Sequence, residues 1–432
     1  MGLVAVNVFV LGLDEHNERT LRDLPDAEQY RFHELLSREE LSGDEIPLCD
    51  LLEKAVQQLE AFEGSVDAII GFWDFPVSSM VPILCQRFGN LCCASLEAVA
   101  KCEHKYWSRL EQQKVIEEYP PFGLVDPERD TDPPEGMSYP MWIKPVKSAS
   151  SELAFKVANQ QEFQDALAQI RDGIGRMGSP FETVLDYLQL PPEIAEVGAQ
   201  ICLAEETLSG RQLTFEGYRY RGQTHTLGVV ESVTHENSPS FLRFQYPASL
   251  PDPVIERMAD ISDRILGQIG LEHTTFNIEF FWNDDTDTLC VLEVNPRHSQ
   301  SHAELFEQVD GAPNHLAMLR LALGRDPQMP RGQGPYRVAA KWFLARWHDG
   351  VVRRHPTEQE IERIQREIPG VTVDVAAHEG DRLSELPGQD SYSYKIANIY
   401  VGAQDENELT EKYQRCVRAL SFEIDEQEVA TT

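Results

Sequence analysis

The sequence predicts an α/β chain built from more than one domain. Three observations carry that prediction. The 432 residues exceed what one ordinary hydrophobic core organises. Apolar runs alternate with helix-period segments near the start, as in a parallel α/β sheet. The middle of the chain alternates apolar and polar residues across turns, as antiparallel strands do.

Taken in order, residues 3–13 (LVAVNVFVLGL) read as a first, buried strand rather than a signal peptide, since no Lys or Arg precedes the apolar run. A helix is expected over 48–64, stopped at Gly64, then a strand over 66–75, a helix over 76–90 stopped at Gly89, and a short strand over 91–95. One helix is expected over 95–116 and a Pro/Gly/Asp-rich loop over 119–140. Residues 141–159 read as strand, turn, strand, and 160–174 as a helix. Residues 199–233 read as an antiparallel meander turning at Ser-Gly and Arg-Gly. The helix over 251–270 has Asp252 as its expected cap and Gly270 as its stop. Strands over 274–282 and 288–295 flank the turn NDDTD, and a helix covers 314–324. Strands over 338–347, 371–376 and 395–403 suggest a third, small α/β unit. The expected domains are 1–103, 104–330 and 331–432.

With 72 acidic and 38 basic residues the formal charge is -34, which argues against binding nucleic acid through a basic face. No apolar run has the length of a membrane span. The eight cysteines form no CxxC pair, so zinc-finger and thioredoxin readings fail, and free thiols in a reducing cytosol are expected.

The chemistry concentrates in three places. Glu279 and Glu293 stand on adjacent strands of a hairpin, where alternation can put both carboxylates on one face. Two such acids repel unless a cation lies between them, and Mg²⁺ commonly joins one or two carboxylates to a substrate's phosphates. Asn295 and Arg297 continue the two-residue spacing, as a further oxygen ligand and a clamp for a phosphoryl group or oxyanion. Second, WIKPVKSASS puts Lys144 on an apolar strand ahead of the small-residue turn Ser148 to Ser151, which can cover phosphates. It is not a Walker loop. By itself it also reads as a solvent-facing lysine before a turn. Third, ICLAEETLSGRQ ends an apolar strand in Glu205 and Glu206. Its edge can meet an adenine ring, with Gln212 reaching a ribose hydroxyl, or it is an ordinary hairpin with acidic flanks.

Together these segments resemble the ATP-grasp superfamily of ATP-dependent carboxylate–amine ligases. CEHKYWSRLEQQKVIEEYPPFGLVDP is similar to the entry segment, with Lys105 as the first nucleotide lysine. YPMWIKPVKSASS resembles the second-lysine strand and phosphate loop, with Lys144, Ser148 and Ser151. AEETLSGRQLTFEG resembles the adenine hinge, with Glu205, Leu208 and Gln212 in contact positions. NIEFF and LEVNPR resemble the metal-ligand pair, Glu279 with Glu293 and Asn295, followed by the arginine that steadies an acyl-phosphate, Arg297.

The resemblance implies an ATP-grasp fold with an N-terminal parallel α/β domain and a small C-terminal α/β domain. It implies ATP and Mg²⁺ (or Mn²⁺) as cofactors and small-molecule carboxylate and amine substrates. No nucleic acid or membrane partner is implied, a cytoplasmic location is expected, and a homodimer is compatible. The implied reaction is of the amino-acid or peptide ligase type: ATP phosphorylates a carboxylate and an amine displaces the phosphate, releasing ADP and phosphate. Lys144 and Arg297 stand in catalytic positions, and Glu231, Arg243, His298 and His302 are candidate substrate residues.

The chain departs from the family pattern in two places. His104, where Asp or Asn is commoner, precedes Lys105. After Arg297 comes HSQSH, with no acid before Glu304, whereas biotin-dependent carboxylases carry a glutamate four residues after their arginine. Alternatives from other classes are a carboxylase of the biotin-carboxylase kind and a catalytically silent nucleotide-binding protein.

Overall fold

The computed structural model describes residues 5–43, 45–148, 152–236, 238, 240–386, 389 and 392–426. Near the N-terminus, strands β1 (Val6–Leu11), β2 (Tyr30–Leu35) and β3 (Ala68–Ile70) form a parallel sheet of order β2-β1-β3. Helices cover both faces because the strands are apolar on both sides: Phe9 and Leu11 pack into one cluster, Val8 and Val10 into another.

The strand expected over 91–95 does not form. Leu91 N–H bonds back to the Cys85 carbonyl at the end of helix Val77–Arg87, and Ser95 already caps the next helix through Ala98 N–H. The backbone donors at both ends of this short connection are therefore committed to helix termini.

The single helix expected over 95–116 is two, Leu96–Glu103 and Lys105–Gln112, broken at His104. His104 ends the first helix and caps the second, its Nδ1 accepting Trp107 N–H at 3.2 Å. Nε2 lies 2.9 Å from the Gly198 carbonyl. One ring nitrogen accepts and the other donates, so the imidazole is neutral, and burial holds its pKa down at about 4. Histidine thus performs here the capping task that Asp or Asn performs elsewhere.

Strands β4 (Phe122–Val125), β5 (Met141–Pro145), β6 (Phe155–Val157) and β7 (Cys202–Glu206) make a small antiparallel sheet of order β4-β7-β5-β6. Two expectations change here. The Pro-rich stretch 119–140 contains β4, whose backbone pairs with β7 from Phe122 to Val125. The strand at 202–206 leaves the meander: it pairs with β4 and β5, and the Ser-Gly turn after it crosses to another sheet.

That other sheet holds β8 (Arg211–Tyr220), β9 (Gln223–Thr234), β10 (Phe241–Tyr246), β11 (Thr274–Asn283), β12 (Thr288–Asn295), β13 (Val338–Arg346), β15 (Val371–Val375) and β16 (Tyr394–Ala403). Their order is β12-β11-β8-β9-β10-β13-β16-β15. The hydrogen-bonded ladder runs unbroken past residue 330, through the pairing of β10 with β13. The remaining strands, β14 (Gly350–Arg354) and β17 (Glu423–Glu426), form a ribbon of two. Helix Asp252–Ile269 packs on the large sheet. Its cap position is Pro251, with Asp252 its first residue, and it ends at Gly270 with φ 78°. Among the described residues no helix is long and apolar enough to cross a membrane.

Gly210, in the crossing between the two sheets, has φ +115°, and a Cβ there would sit 2.3 Å from the Trp282 carbonyl oxygen. Gly210→Ala is expected to lower stability by about 1–3 kcal/mol, read as a shifted denaturant midpoint with an unchanged slope; an unshifted midpoint contradicts this reading.

Candidate active site

The hairpin β11–β12 sets Glu279 directly across from Glu293, but the register then slips, with Phe280 facing Val291. Leu292 is the extra residue of a β-bulge, which frees its carbonyl from the ladder. Arg109 Nη2 takes that carbonyl at 2.7 Å. The same guanidinium donates from Nε to Glu205 at 2.6 Å and from Nη1 to Gln112 at 2.6 Å. The second oxygen of Glu205 holds Lys144 Nζ at 2.6 Å. Glu205 is 3% exposed, so burial alone would raise its pKa, yet the two cations override burial and hold it at about 2.

Lys105 opens its helix inside this junction. Its backbone N–H bonds the Val146 carbonyl, and Nζ lies 2.7 Å from both the Ser148 carbonyl and Glu293 Oε1. Gln212 Nε2 donates to Glu279 Oε2 at 3.1 Å. Desolvation and the facing Glu293 raise the pKa of Glu279. Glu293, despite its own desolvation, is held down by Lys105 and Lys144. The negative charge of the pair therefore resides on Glu293, beside Lys105, and Glu279 takes up its own charge only when a cation offsets burial and the facing acid. Asn295 spends its amide nitrogen on Asn277, its partner across the hairpin, at 2.9 Å.

Arg297 follows the strand. Its Nε and Nη2 donate to Asp74 Oδ1 at 2.9 and 2.5 Å. Desolvation would raise Asp74, but Arg297 keeps it below the usual range. Asp74 lies just beyond the carboxyl end of β3, so the parallel sheet contributes to the centre from the edge where open α/β sheets hold ligands. The turn after Arg297 is pinned by Glu216 on β8, fully buried, which accepts from Ser299 N–H (3.2 Å) and Asn314 Nδ2 (3.0 Å) and lies 2.6 Å from His302 Nδ1.

The fold thus gathers Lys105, Lys144, Ser148, Glu205, Gln212, Glu279, Glu293, Asn295 and Arg297 around the cleft between the two sheets. Half-buried Leu208 stands at the crossing between them, and Ser151 lies outside the described residues. Other expected residues are engaged elsewhere. Glu231 makes a bidentate pair with Arg211 at 2.7 and 2.6 Å. Arg243 donates to Gln245 and lies over Trp342. His298 is fully buried against Thr275 and His315, and His302 is buried between Glu216 and Phe244.

Sequence reasoning missed Arg109, Asp74 and Glu216. A usable signal existed for the first: Lys105, Arg109 and Gln112 recur at i, i+4 and i+7 and so share one face of their helix. The other two act through partners far away in sequence.

Residues 137–303 match the ATP-grasp domain family. The chain carries an ATP-grasp domain. The matched span takes in β5 to β12, and the whole chain has the fold of the solved structures it superposes on. It superposes on an L-amino acid ligase from Bacillus licheniformis with a TM-score of 0.71, covering 98% of this chain and 99% of that one at 14% identity. A biotin carboxylase from Campylobacter jejuni, solved as a β-γ-ATP complex, gives 0.64, covering 98% and 93% at 13% identity. In sequence, 76 residues are 37% identical to the carbamoyl phosphate synthase large chain of Rhodopirellula baltica, which is 18% of this chain and 7% of that one. A further 195-residue match, 29% identical, is to the uncharacterized protein y4rH of Sinorhizobium fredii, 43% of this chain and 37% of that one. The chain therefore spans well under half the length of either of these curated relatives.

Glu205→Gln is expected to leave Arg109 and Lys144 buried with no full counter-charge, destabilising the ATP-grasp domain by about 3–5 kcal/mol. The sign with pH follows from a pKa of about 2 in the folded chain against the ordinary 4.5. The stabilisation is fully present above about 4.5 and is lost as pH falls toward 2. Acid titration of wild type and variant should therefore converge below that window; a constant difference down to pH ~2 contradicts the assignment.

Proposed function

We propose that the protein is an ATP-dependent ligase that activates a carboxylate as an acyl-phosphate and joins it to an amine, releasing ADP and phosphate. The observation that carries this reading is the facing pair Glu279 and Glu293, with Lys105 on one of them and Arg297 at the end of the same strand.

The donor set fits a hard divalent cation. Two carboxylates face each other, Glu279 is raised by burial and then by that proximity, and Asn295 presents its carbonyl oxygen once its nitrogen is bound to Asn277. Glu279, Glu293 and Asn295 would hold Mg²⁺ or Mn²⁺. Among the described residues no group of three or more His, Cys, Asp or Glu forms a metal cage, so nucleotide phosphates would complete the coordination. A metal bound there neutralises phosphate charge as it redistributes during transfer.

The chain's own residues do the rest. Lys105 and Lys144 bring two ammonium groups to the cleft, each already oriented by a carboxylate and so reorganising little on binding a nucleotide. The strand β7 and the crossing at Leu208 and Gln212 form the wall for the adenine and ribose. Arg297, fixed by Asp74, holds its guanidinium toward the transferring phosphoryl group and the oxyanion that forms when an amine attacks the acyl carbon. An amine acceptor is favoured over bicarbonate by Ser301: at the position where the carboxylases carry glutamate, its hydroxyl accepts from Lys341 Nζ at 3.1 Å. The eight free cysteines suit a reducing cytosol.

Two variants test this reading. Glu293→Ala should abolish ADP release while leaving the circular dichroism spectrum unchanged; persistent ADP release would remove the metal assignment. Asp74→Asn should lower kcat about 10- to 100-fold with little change in KM for ATP, because it loosens Arg297 without touching the nucleotide wall. A matching rise in the KM for ATP would instead place Asp74 and Arg297 in ground-state binding.

A further inference from the structure

The two lysines, the acid pair and Arg297 serve the nucleotide, the metal and the phosphoryl group, and none of them holds the acid substrate. The carboxyl edge of the parallel sheet, where Asp74 reaches Arg297, offers a group that can. Three turns meet on that edge: Gly12 to Asp14 after β1, Leu36 to Arg38 after β2, and Trp73 with Asp74 after β3. Gly12 N–H bonds the Leu36 carbonyl at 3.2 Å, and Trp73 Nε1 donates to the Gly12 carbonyl at 2.8 Å, which fixes the indole against the first turn. Leu36 is buried in a left-handed conformation, φ 58°, with its N–H on Gln58 Oε1 at 3.2 Å. That bend sets Ser37 as the cap of a one-turn helix, Arg38–Leu41, closed by a capping box with Glu40. Backbone strain of this kind persists where its surroundings over-determine it and collects at ligand clamps. Here it carries Arg38 over Trp73.

Arg38 lies over the indole of Trp73, with Cζ 4.0 Å from the ring centroid. The ring covers one side of the guanidinium and leaves the N–H donors at its edge open. Among the described residues those donors make no hydrogen bond, and no carboxylate oxygen lies within 4.0 Å of them. In a chain with 72 acidic residues against 38 basic ones, a half-buried arginine with no carboxylate partner is out of the ordinary. The two acids that act on it through space are committed elsewhere. Asp14 Oδ1 accepts from the backbone and side chain of Asn17, and Asp74 Oδ1 holds Arg297. Burial lowers the Arg38 pKa, and the two carboxylates oppose that only in part. Another cation beyond the HSQSH turn is better served. Lys341, in a buried cluster with Glu304, Asp374, Asn398, Tyr400 and His16, donates to Ser301 Oγ. Arg38 donates to nothing.

We propose that Arg38 binds a second anionic group of the acid substrate, so that the acid is a dianion: one carboxylate takes the γ-phosphoryl group of ATP beside Arg297, and the other anion, a carboxylate or a phosphate, sits on Arg38. The proposal rests on the ligase reading and adds the class of acid to it. An open guanidinium edge matches two oxygens of either anion. It suits the reacting carboxylate poorly, because a bidentate pair engages both oxygens and one of them must be free to attack phosphorus. The placement agrees. Asp74 touches Arg297 but not Arg38, so the two guanidiniums are separate anion sites on one edge of the cleft. An acid with a single charge would leave Arg38 covered by Trp73 and by the ligand with no partner, which is the source of discrimination.

The test measures binding directly on the full chain, by isothermal titration with Mg²⁺ and a non-hydrolysable ATP analogue present. The probes are two series of dianions, the α,ω-dicarboxylates from malonate to adipate and the phosphocarboxylates phosphoglycolate and phosphoglycerate. Each is paired with a form that lacks the second charge: the half-amide for the first series, glycolate and glycerate for the second. At least one dianion should bind, and its singly charged counterpart should bind about tenfold or more weakly. Binding in either series supports the proposal and names the second group as carboxylate or as phosphate. Arg38→Met, which keeps the length of the side chain over Trp73, should weaken that dianion about tenfold and leave its counterpart unaffected. Arg38→Gln serves if Arg38→Met does not fold. The proposal is overturned if no dianion binds, if dianion and counterpart bind alike, or if whichever variant folds binds the dianion as wild type does. Binding as expected, with no ADP release from that dianion whatever amine is added, would sink the ligase reading and keep the site. Amine-dependent ADP release on an acid whose KM is unchanged in Arg38→Met would sink the site and keep the ligase.

Discussion

Arg109 joins the two halves of the cleft. Its guanidinium donates to Glu205 on the small sheet, to the Leu292 carbonyl on the large sheet and to Gln112 on its own helix. A planar fork with fixed donor directions can satisfy three acceptors at once only if all three are held in place, which a flexible ammonium would not require. The carboxylate it meets is buried and also binds Lys144, and the carbonyl it meets belongs to Leu292, the unpaired residue at the register slip of edge strand β12. The relative position of the lysines and the Glu279–Glu293 pair follows from this contact. Without it, the cations of one sheet would not face the acids of the other.

The same economy governs the end of β12. Arg297 and the turn after it are held by two acids from outside the hairpin, Asp74 at the edge of the parallel sheet and Glu216 inside the large one. The parallel sheet is thereby tied to the end of β12 by two charged hydrogen bonds from Arg297 to Asp74, and Glu216 anchors the HSQSH turn. Its histidines are buried by that anchoring. Its serine at 301 meets Lys341 instead, and so connects the turn after β12 with β13.

Much of the fold was legible from periodicity. The hairpin that faces Glu279 with Glu293, the stop at Gly270 and strands β1 and β3 of the parallel sheet follow from apolar runs, two-residue repeats and turn residues, whereas β2 is not among the expected strands. What misled was local ambiguity. A four-residue strand inside Pro-rich sequence looks like loop, and a helix break at a histidine looks like continuous helix, because His is seldom a cap. The expected border at 330 rests on the strands read after it, and the hydrogen bonding of β10 to β13 runs across it.

The sequence by itself determined which residues can carry charge to a strand end and at what spacing: Glu293, Asn295 and Arg297 alternate whatever the rest of the chain does, because pleating fixes side-chain direction over two residues. Only the tertiary structure decided what faces them. Asp74 lies 223 residues from Arg297, and Arg109 lies 96 residues from Glu205 and 183 from Leu292. Their meeting depends on packing sheets and helices from three parts of the chain, and no local period encodes that. The cluster at Lys341 is the extreme case. Its members, Lys341, Asp374, Asn398, Tyr400, Glu304 and His16, come from five elements, each reads as an ordinary residue in its own segment, and the unpartnered oxygens of Glu304 and Asn398 arise only when burial removes the water that would otherwise pair them.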